Sequence, residues 1–311
     1  MKNIINRKIT ESETILPGMA CWLCSLKELK VIKNSSLTKK DLSSKLFAIT
    51  DSAYGKTLEV YRCMGCGFMQ CSSVDEVLGY YETLQDEEYE NTRKPRSLQM
   101  KKVLEIIKKY KNGGRLLDVG AGNGILVEQA ITMGYDAEGI EPSTWLVKKA
   151  HDRKLPIYEG TLNSLKPKEL YDVVTIIDVI EHVTNPLDLL SSVYNLIAKD
   201  GIIVIVTPDV GSLVAKLLSW KWWHYRVAHV GYFNKNTLNY ALDKTNLKSI
   251  KMLNPSWYFT GEYVAERINK YLPSFMHITL PIYFRNKIIS INVGDSILGI
   301  YAPKTPKNNE H

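Results

Sequence analysis

The first residues in this chain able to do chemistry are Asp118-Val119-Gly120-Ala121-Gly122-Asn123-Gly124. A short apolar run ends in an acid, glycine follows at every second position, and Asn123 to Met133 continues with helix-like periodicity. The pattern reads as strand, tight turn and helix. Glycine suits the turn because only a residue without Cβ lets the backbone bend sharply and come within contact distance of a ligand. A phosphate loop would need lysine after its last glycine, but Ile125 and Leu126 follow Gly124. A dinucleotide fingerprint would put its third glycine at position 125, which is isoleucine. An acid at the strand end suits a cationic ligand better than pyrophosphate.

S-adenosylmethionine, with its ammonium and sulfonium, is the candidate this argument reaches. Glu141, in Glu141-Pro142-Ser143, stands at the tip of the next strand, placed to accept both ribose hydroxyls of a nucleoside. It also suits the N-terminus of the following helix as a plain dipole partner. Leu162 and Asn163, after a third strand, are placed to cover an adenine ring. Asp178, in Asp178-Val179-Ile180-Glu181-His182, leaves the sheet on the edge where Asp118 and Glu141 emerge.

Two other clusters carry chemistry. Cys21-Trp22-Leu23-Cys24 and Cys63-Met64-Gly65-Cys66 form two pairs with 38 residues between them. A two-residue spacer lets both thiolates face one metal while backbone amides turn toward the sulfurs, so the four cysteines suit a closed structural Zn2+ site. Disulfides or a redox pair are the competing readings, and the expected reducing compartment disfavours disulfides. The second cluster, Ser219 to Phe233, gathers Trp222, Trp223, His224, Tyr225, Arg226, His229 and Tyr232. Aromatic faces suit a sugar ring or planar base, and Arg226 suits a phosphate or carboxylate. The same aromatics also suit core or lid packing. His229, then His182, are the candidate bases, because neutral imidazole accepts a proton near neutral pH.

Positioning these groups requires an α/β chain with alternating strands and helices. Expected strands are Arg115–Val119, Asp136–Ile140, Ile157–Tyr158, Tyr171–Ile177 and Ile202–Val206, with a later strand at Leu247–Leu253. Pro186 opens a helix over Leu187–Ala198, His182 is placed on a helix, and Ile288–Tyr301 reads as a strand pair turning at Val293-Gly294-Asp295. Before Pro95, Leu46–Ile49 and Leu58–Tyr61 look like strands, and Val74 to Asn91 reads as a lid or a linker helix. Ser97 is the expected cap of a helix ending near Gly113. The domain reading is 1–94, a zinc-ribbon-like module and linker; 95–303, the cofactor-binding domain; and 304–311, a polar tail.

The chain has 311 residues, is 45% hydrophobic, and carries a net charge of +7 with a pI near 8.9. Such a composition supports a sizeable core with a mild lean toward anionic partners. No apolar run approaches the roughly 18 residues a membrane span needs, and Met1–Gly18 lacks the apolar centre of an export signal, so a cytoplasmic location is expected.

Taken together, Asp118 to Gly124, Glu141-Pro142-Ser143 and Asp178 to His182 resemble the class I S-adenosylmethionine-dependent methyltransferases over about residues 96 to 303. The resemblance implies a doubly wound, mostly parallel seven-stranded sheet. It also implies that Asp118, Gly120, Gly122 and Gly124 hold the methionine part of the cofactor, that Glu141 binds the ribose, and that Asp178 lies at the methyl-transfer site. Leu162 and Asn163 stand where that family usually has an acid near adenine. The cysteine pairs and the tryptophan-rich segment are similar to bacterial members linked to sugar or surface-polysaccharide pathways. The expected function is methyl transfer to a small-molecule or glycan acceptor such as a sugar hydroxyl. Two alternatives stay open, an RNA methyltransferase gripping its substrate with the zinc module and a non-catalytic cofactor-binding scaffold.

Overall fold

The computed structural model describes residues 19–38, 41–48, 50, 54–72, 77–167 and 169–304. The expectations for Met1–Gly18, Ile49, Val74–Glu76 and the tail after Lys304 lie outside the described residues.

The chain begins with β1 (Leu29–Lys33), β2 (Val60–Cys63) and β3 (Met69–Cys71), followed by α1 (Val77–Glu82), α2 (Glu87–Asn91) and α3 (Arg93–Ile107). An alternating series follows: β4 (Arg115–Val119), α4 (Ile125–Thr132), β5 (Asp136–Glu141), α5 (Thr144–His151), β6 (Ile157–Glu159), β7 (Tyr171–Ile177), α6 (Pro186–Leu196), β8 (Ile197–Pro208) and α7 (Leu213–Leu218). The last part holds β9 (Gly231–Tyr232), α8 (Lys235–Lys244), β10 (Leu247–Leu253), β11 (Trp257–Thr260), α9 (Gly261–Asn269), α10 (Ile282–Arg285), β12 (Ile288–Ile291) and β13 (Ser296–Pro303).

The main sheet has seven strands in the order β10-β13-β8-β7-β4-β5-β6. The five strands from β8 to β6 run parallel, and β13 lies antiparallel to both β8 and β10. From β4 the chain moves outward through β5 to β6 and then returns to β7 and β8 on the other side. The carboxyl ends of β4 and β7 therefore flank the switch point, where a doubly wound sheet opens a crevice for ligands.

Strand alternation builds both layers of the core. Leu117, Val174 and Ile203 point to the face covered by Leu190, Val193 and Leu238 of α6 and α8. Their neighbours Leu116, Val173 and Val204 point to the face covered by Leu104, Leu126 and Val147 of α3, α4 and α5. Each such aliphatic side chain contributes about 1.5–3 kcal/mol when fully buried, which is why these strands read as continuous apolar runs.

The amino-terminal residues form a second sheet, ordered β1-β2-β3-β9. Its fourth strand comes from residues 231–232, so the cysteine-bearing module and the main domain share a sheet. They also share a core, since Leu23, Phe68 and Phe233 belong to one buried cluster.

Several local expectations change. Residues 44–47 form a single 3-10 turn instead of a strand, because Phe47 buries by stacking on Tyr80 at 4.6 Å between ring centroids. Leu29–Lys33, for which no strand was expected, forms β1. Helix α3 starts at Arg93, so the boundary expected at residue 95 falls inside it; Pro95 sits in the first turn, where backbone N–H groups have no helical partner anyway. The expected terminal strand pair does not form. β12 pairs with β11, while β13, apolar along most of its length, inserts between β10 and β8 where both of its edges are covered. His182 lies on a 3-10 turn, Ile180–His182.

Candidate functional site

A cavity of about 880 Å³ opens at the switch point. Asp118, Gly120 and Gly122 line it from the end of β4, Glu141 from β5, Leu162 and Asn163 from beyond β6, and Asp178 from beyond β7. Gly120 and Gly122 have φ of 71° and 56°, the left-handed region that favours glycine. Space is equally limiting. A Cβ on Gly120 would come 2.5 Å from Val179 Cγ2, and one on Gly122 would come 3.1 Å from the Tyr89 hydroxyl.

Of the three carboxylates at the strand ends, Asp118 and Glu141 are buried and Asp178 is half-buried, and all three share one electrostatic state. Asp118 accepts a hydrogen bond from Thr175 Oγ1 at 2.7 Å. Glu141 accepts from the backbone N–H of Gly122 at 2.8 Å and of Ser143 at 2.9 Å, which fixes the carboxylate while leaving lone pairs for a ligand. Burial pushes Asp118, Glu141 and Asp178 each up to about 7. Asp178 also holds a left-handed φ of 53°, secured by its N–H donating to Val206 O at 2.9 Å. Strain of this kind is retained where surrounding structure over-determines it. Three desolvated acids around one cavity form a site that a cation would stabilise.

The same cavity receives His182, His224 and His229. His182 and His229 meet edge to face at 4.7 Å between ring centroids, and His229 stacks on His224 at 5.6 Å. The Ala228 carbonyl, which can only accept, lies 2.8 Å from His182 Nδ1. The Tyr81 hydroxyl lies 2.6 Å from the same nitrogen, and Nε2 faces Glu181 Oε1 at 4.0 Å. Burial lowers His182 to about 4 and His224 to about 3, and His229 falls well below the ordinary value, so all three rings are neutral at pH 7. Glu181 is raised by burial and by the Asp178 charge, and it accepts from Thr207 Oγ1 at 2.9 Å.

The module positions this cluster. Cys71 N–H in β3 donates to Val230 O at 2.7 Å, and Val230 N–H donates to Glu181 O at 2.8 Å, so the His229 loop is strapped between the module and the 180–182 turn. Asp86 accepts from Thr50 and caps α2, carrying Tyr89 over the glycine turn.

The tryptophan-rich segment divides. Trp223, His224, Arg226 and His229 line the cavity. Trp222 and Tyr232 do not; Trp222 is 0% exposed, and its indole N–H donates to Asp295 Oδ2 at 3.1 Å. Trp222 and Tyr232, expected to bind substrate, instead lie with their rings in the buried cluster that includes Ala215 of α7. Tyr225 is buried in the same cluster and borders a separate cavity beside Arg62 and Lys216. Gly124 begins α4 and packs against Leu155 and Ile157 outside the main cavity lining. Tyr81 lines the main cavity from the stretch read as a lid or a linker helix, and lining residues missed in the sequence include Arg96, Gln99, Arg267 and Asp295. Of these only Arg96 had a local signal, a cation in the helix before the glycine turn.

The four module cysteines lie with all their sulfurs within 4.8 Å of one another. Cys21 and Cys66 are 3.5 Å apart and Cys24 and Cys63 are 3.4 Å apart, too long for disulfides and near the span of two sulfurs on one tetrahedral ion. Backbone N–H groups of Cys24 and Leu23 turn to Cys21, and those of Cys66 and Gly65 turn to Cys63.

A doubly wound sheet with acids at three strand ends, grouped at the switch point around glycines, defines a nucleoside-binding domain suited to a cationic ligand. The sequence model of the methyltransferase-domain family matches residues 89–251, and the chain belongs to that family, the class I S-adenosylmethionine-dependent methyltransferases. It is 37% identical over 102 residues to a ubiquinone biosynthesis O-methyltransferase of Rhodopseudomonas palustris, covering 31% of this chain and 40% of that protein. It is 32% identical over 117 residues to the mitochondrial ubiquinone biosynthesis O-methyltransferase of Schizosaccharomyces pombe, covering 35% of this chain and 42% of that protein. The chain thus matches less than half the length of these two curated relatives. Among solved structures, a methyltransferase from Thermotoga maritima titled as a possible histamine N-methyltransferase is 17% identical, with a TM-score of 0.47, covering 70% of this chain and 96% of that one.

Proposed function

We propose that the protein transfers the methyl group of S-adenosylmethionine to a hydroxyl of a small-molecule or glycan acceptor, with a sugar hydroxyl of a surface-polysaccharide pathway as the leading substrate class. The observation that carries this reading is the convergence, on one cavity, of three strand-end carboxylates with neutral histidines, Trp223 and Arg226. The residues fit the cofactor. Asp118, Gly120 and Gly122 would cradle its methionine end, Glu141 its ribose, and Leu162 and Asn163 its adenine. Asp178 and the buried, unpaired Gln99 Oε1 supply acceptors for its cationic groups. When bound, the cofactor supplies an activated methyl group on sulfonium.

The chain's own part is positioning and proton transfer. Holding the acceptor oxygen in line with the methyl group removes the entropy cost of a bimolecular displacement. His229 takes the hydroxyl proton, with His182 as second candidate; burial keeps both in the base form throughout the neutral range. Trp223 and Arg226 face the acceptor. The relatives' names, O-methyltransferases, support oxygen as the accepting atom. The module of residues 1–94 holds a structural Zn2+ on Cys21, Cys24, Cys63 and Cys66 and braces the catalytic loop of the 95–303 domain. Incubation with methyl-labelled cofactor and a panel of sugars, nucleotide sugars and phenols tests the reading. Labelled product from the wild type and loss of turnover in His229→Ala, with cofactor affinity unchanged, is the expected result; full turnover in that variant would refute the assignment of the base.

A further inference from the structure

The segment between α9 and β12 departs from the rule that large apolar side chains are buried. Phe275 is 86% exposed, Ile282 81%, Tyr283 79%, Met276 53% and Phe284 48%. From Pro273 to Phe284 every residue except Leu280 is exposed. Soluble surfaces rarely gather so many apolar groups in one stretch without a partner.

The projection is held in place. Asn269, at the end of α9, donates from Nδ2 to Ile278 O at 3.0 Å and accepts from Ile278 N–H at 2.7 Å. Arg285 Nε donates to Leu280 O at 3.0 Å, and Phe284 N–H donates to Pro281 O at 2.9 Å. Pro273 and Pro281 precede its two short turns and keep it from extending α9.

Its charge has one sign. Between Lys270 and Gly294 there is no acid, while His277, Arg285 and Lys287 lie within that stretch. The flanking acids in sequence are Glu262 and Glu266 on α9 and the buried Asp295, and Glu262 is paired with Arg285 at 3.8 Å. A second copy of the chain would bring the same cations together across a twofold interface, which disfavours self-pairing. An anionic bilayer surface satisfies both features, since acyl chains accept the apolar side chains and headgroups accept the cations. The patch also adjoins the cavity. Tyr263, Arg267, Ile268 and Tyr271 line it from α9 and the residues just beyond. Among the described residues no helix is long and apolar enough to cross a membrane, so the contact lies on the surface.

We propose that residues 271–287 seat the protein on anionic membrane surfaces, with the cavity mouth turned toward the bilayer interface. The inference stands apart from the identity of the acceptor and does not require catalysis. The test is co-sedimentation of the full chain with vesicles of phosphatidylcholine alone or with about a third phosphatidylglycerol, at low and high salt. Binding should be about tenfold or more tighter to the anionic vesicles, and weaken with salt. The triple variant Phe275→Ser, Ile282→Ser, Tyr283→Ser should lose that binding while keeping its affinity for S-adenosylmethionine, which also shows that it is folded. As a second readout, Phe275→Trp should be quenched by brominated lipid. Failure of the wild type to bind anionic vesicles, binding unchanged in the triple variant, or a wild-type dimer that the triple variant converts to monomer would each overturn the proposal.

Discussion

Lowering the pH from 8 to 6 should weaken cofactor binding by at least about tenfold. In the ligand-free cavity Asp118, Glu141 and Asp178 each stand near 7 because burial penalises their charged forms. A ligand bearing sulfonium and ammonium selects the ionised carboxylates and draws them back toward their ordinary range. Linkage then gives, for each required group, a loss of about tenfold at pH 6 and almost none at pH 8, or about 1.4 kcal/mol per group. Three independent groups would give roughly a thousandfold. The Glu141 charge raises Asp118, however, so the titrations are not independent and the loss falls between those limits.

Isothermal titration of S-adenosylmethionine across this range measures the slope. S-adenosylhomocysteine, whose sulfur is uncharged, should show a shallower one. Glu141→Gln should remove about one power of ten from the pH dependence. It should also weaken binding at pH 8 by about 10–100-fold, since the amide can accept from only one of the N–H groups of Gly122 and Ser143. An affinity that is flat between pH 6 and 8 would refute the argument.

The same shifts predict stability. Raised carboxylates cost the ligand-free fold progressively as pH climbs from about 4 to 7, whereas the depressed histidines cost it as pH falls below about 6.5 toward 4. Cofactor should therefore raise Tm more at pH 8 than at pH 6, as scanning fluorimetry would show. Gly120→Ala should cost about 1–2 kcal/mol from the left-handed backbone alone, plus the displacement of Val179, and weaken cofactor binding in the same titration. Trp222→Phe removes one of the two indole donors to the buried Asp295, Trp223 being the other, and should destabilise by about 0.5–1.5 kcal/mol in urea unfolding, with little change in KM for the acceptor. Cys63→Ser should abolish stoichiometric zinc measured by elemental analysis, and lower turnover by loosening the His229 loop.

Much of the cofactor side was legible in the sequence because it rests on local rules. Parallel strands buried on both faces show as apolar runs, a turn that admits no Cβ shows as glycine, and an acid at a strand end shows as a break in that run. Asp118, Glu141 and Asp178 could be read one at a time, and the order of strands in a doubly wound sheet then brings them to one edge. Their shared state near pH 7 could not be read, since it depends on burial.

The histidine side of the cavity was decided by tertiary structure. His182 and His229 are 47 positions apart and meet because Val230 N–H bonds to Glu181 O while β9 pairs with β3, long-range contacts with no sequence period of their own. Trp222 and Trp223 are adjacent and chemically alike, yet one fills the core and the other lines the cavity. β13 was recognisable as a strand but not as an interior one, because insertion between β8 and β10 depends on which two edges remain uncovered when the rest of the sheet has formed. Composition and periodicity fix what each segment can become; long-range burial chooses its neighbours, and in this protein those neighbours make the histidine cluster.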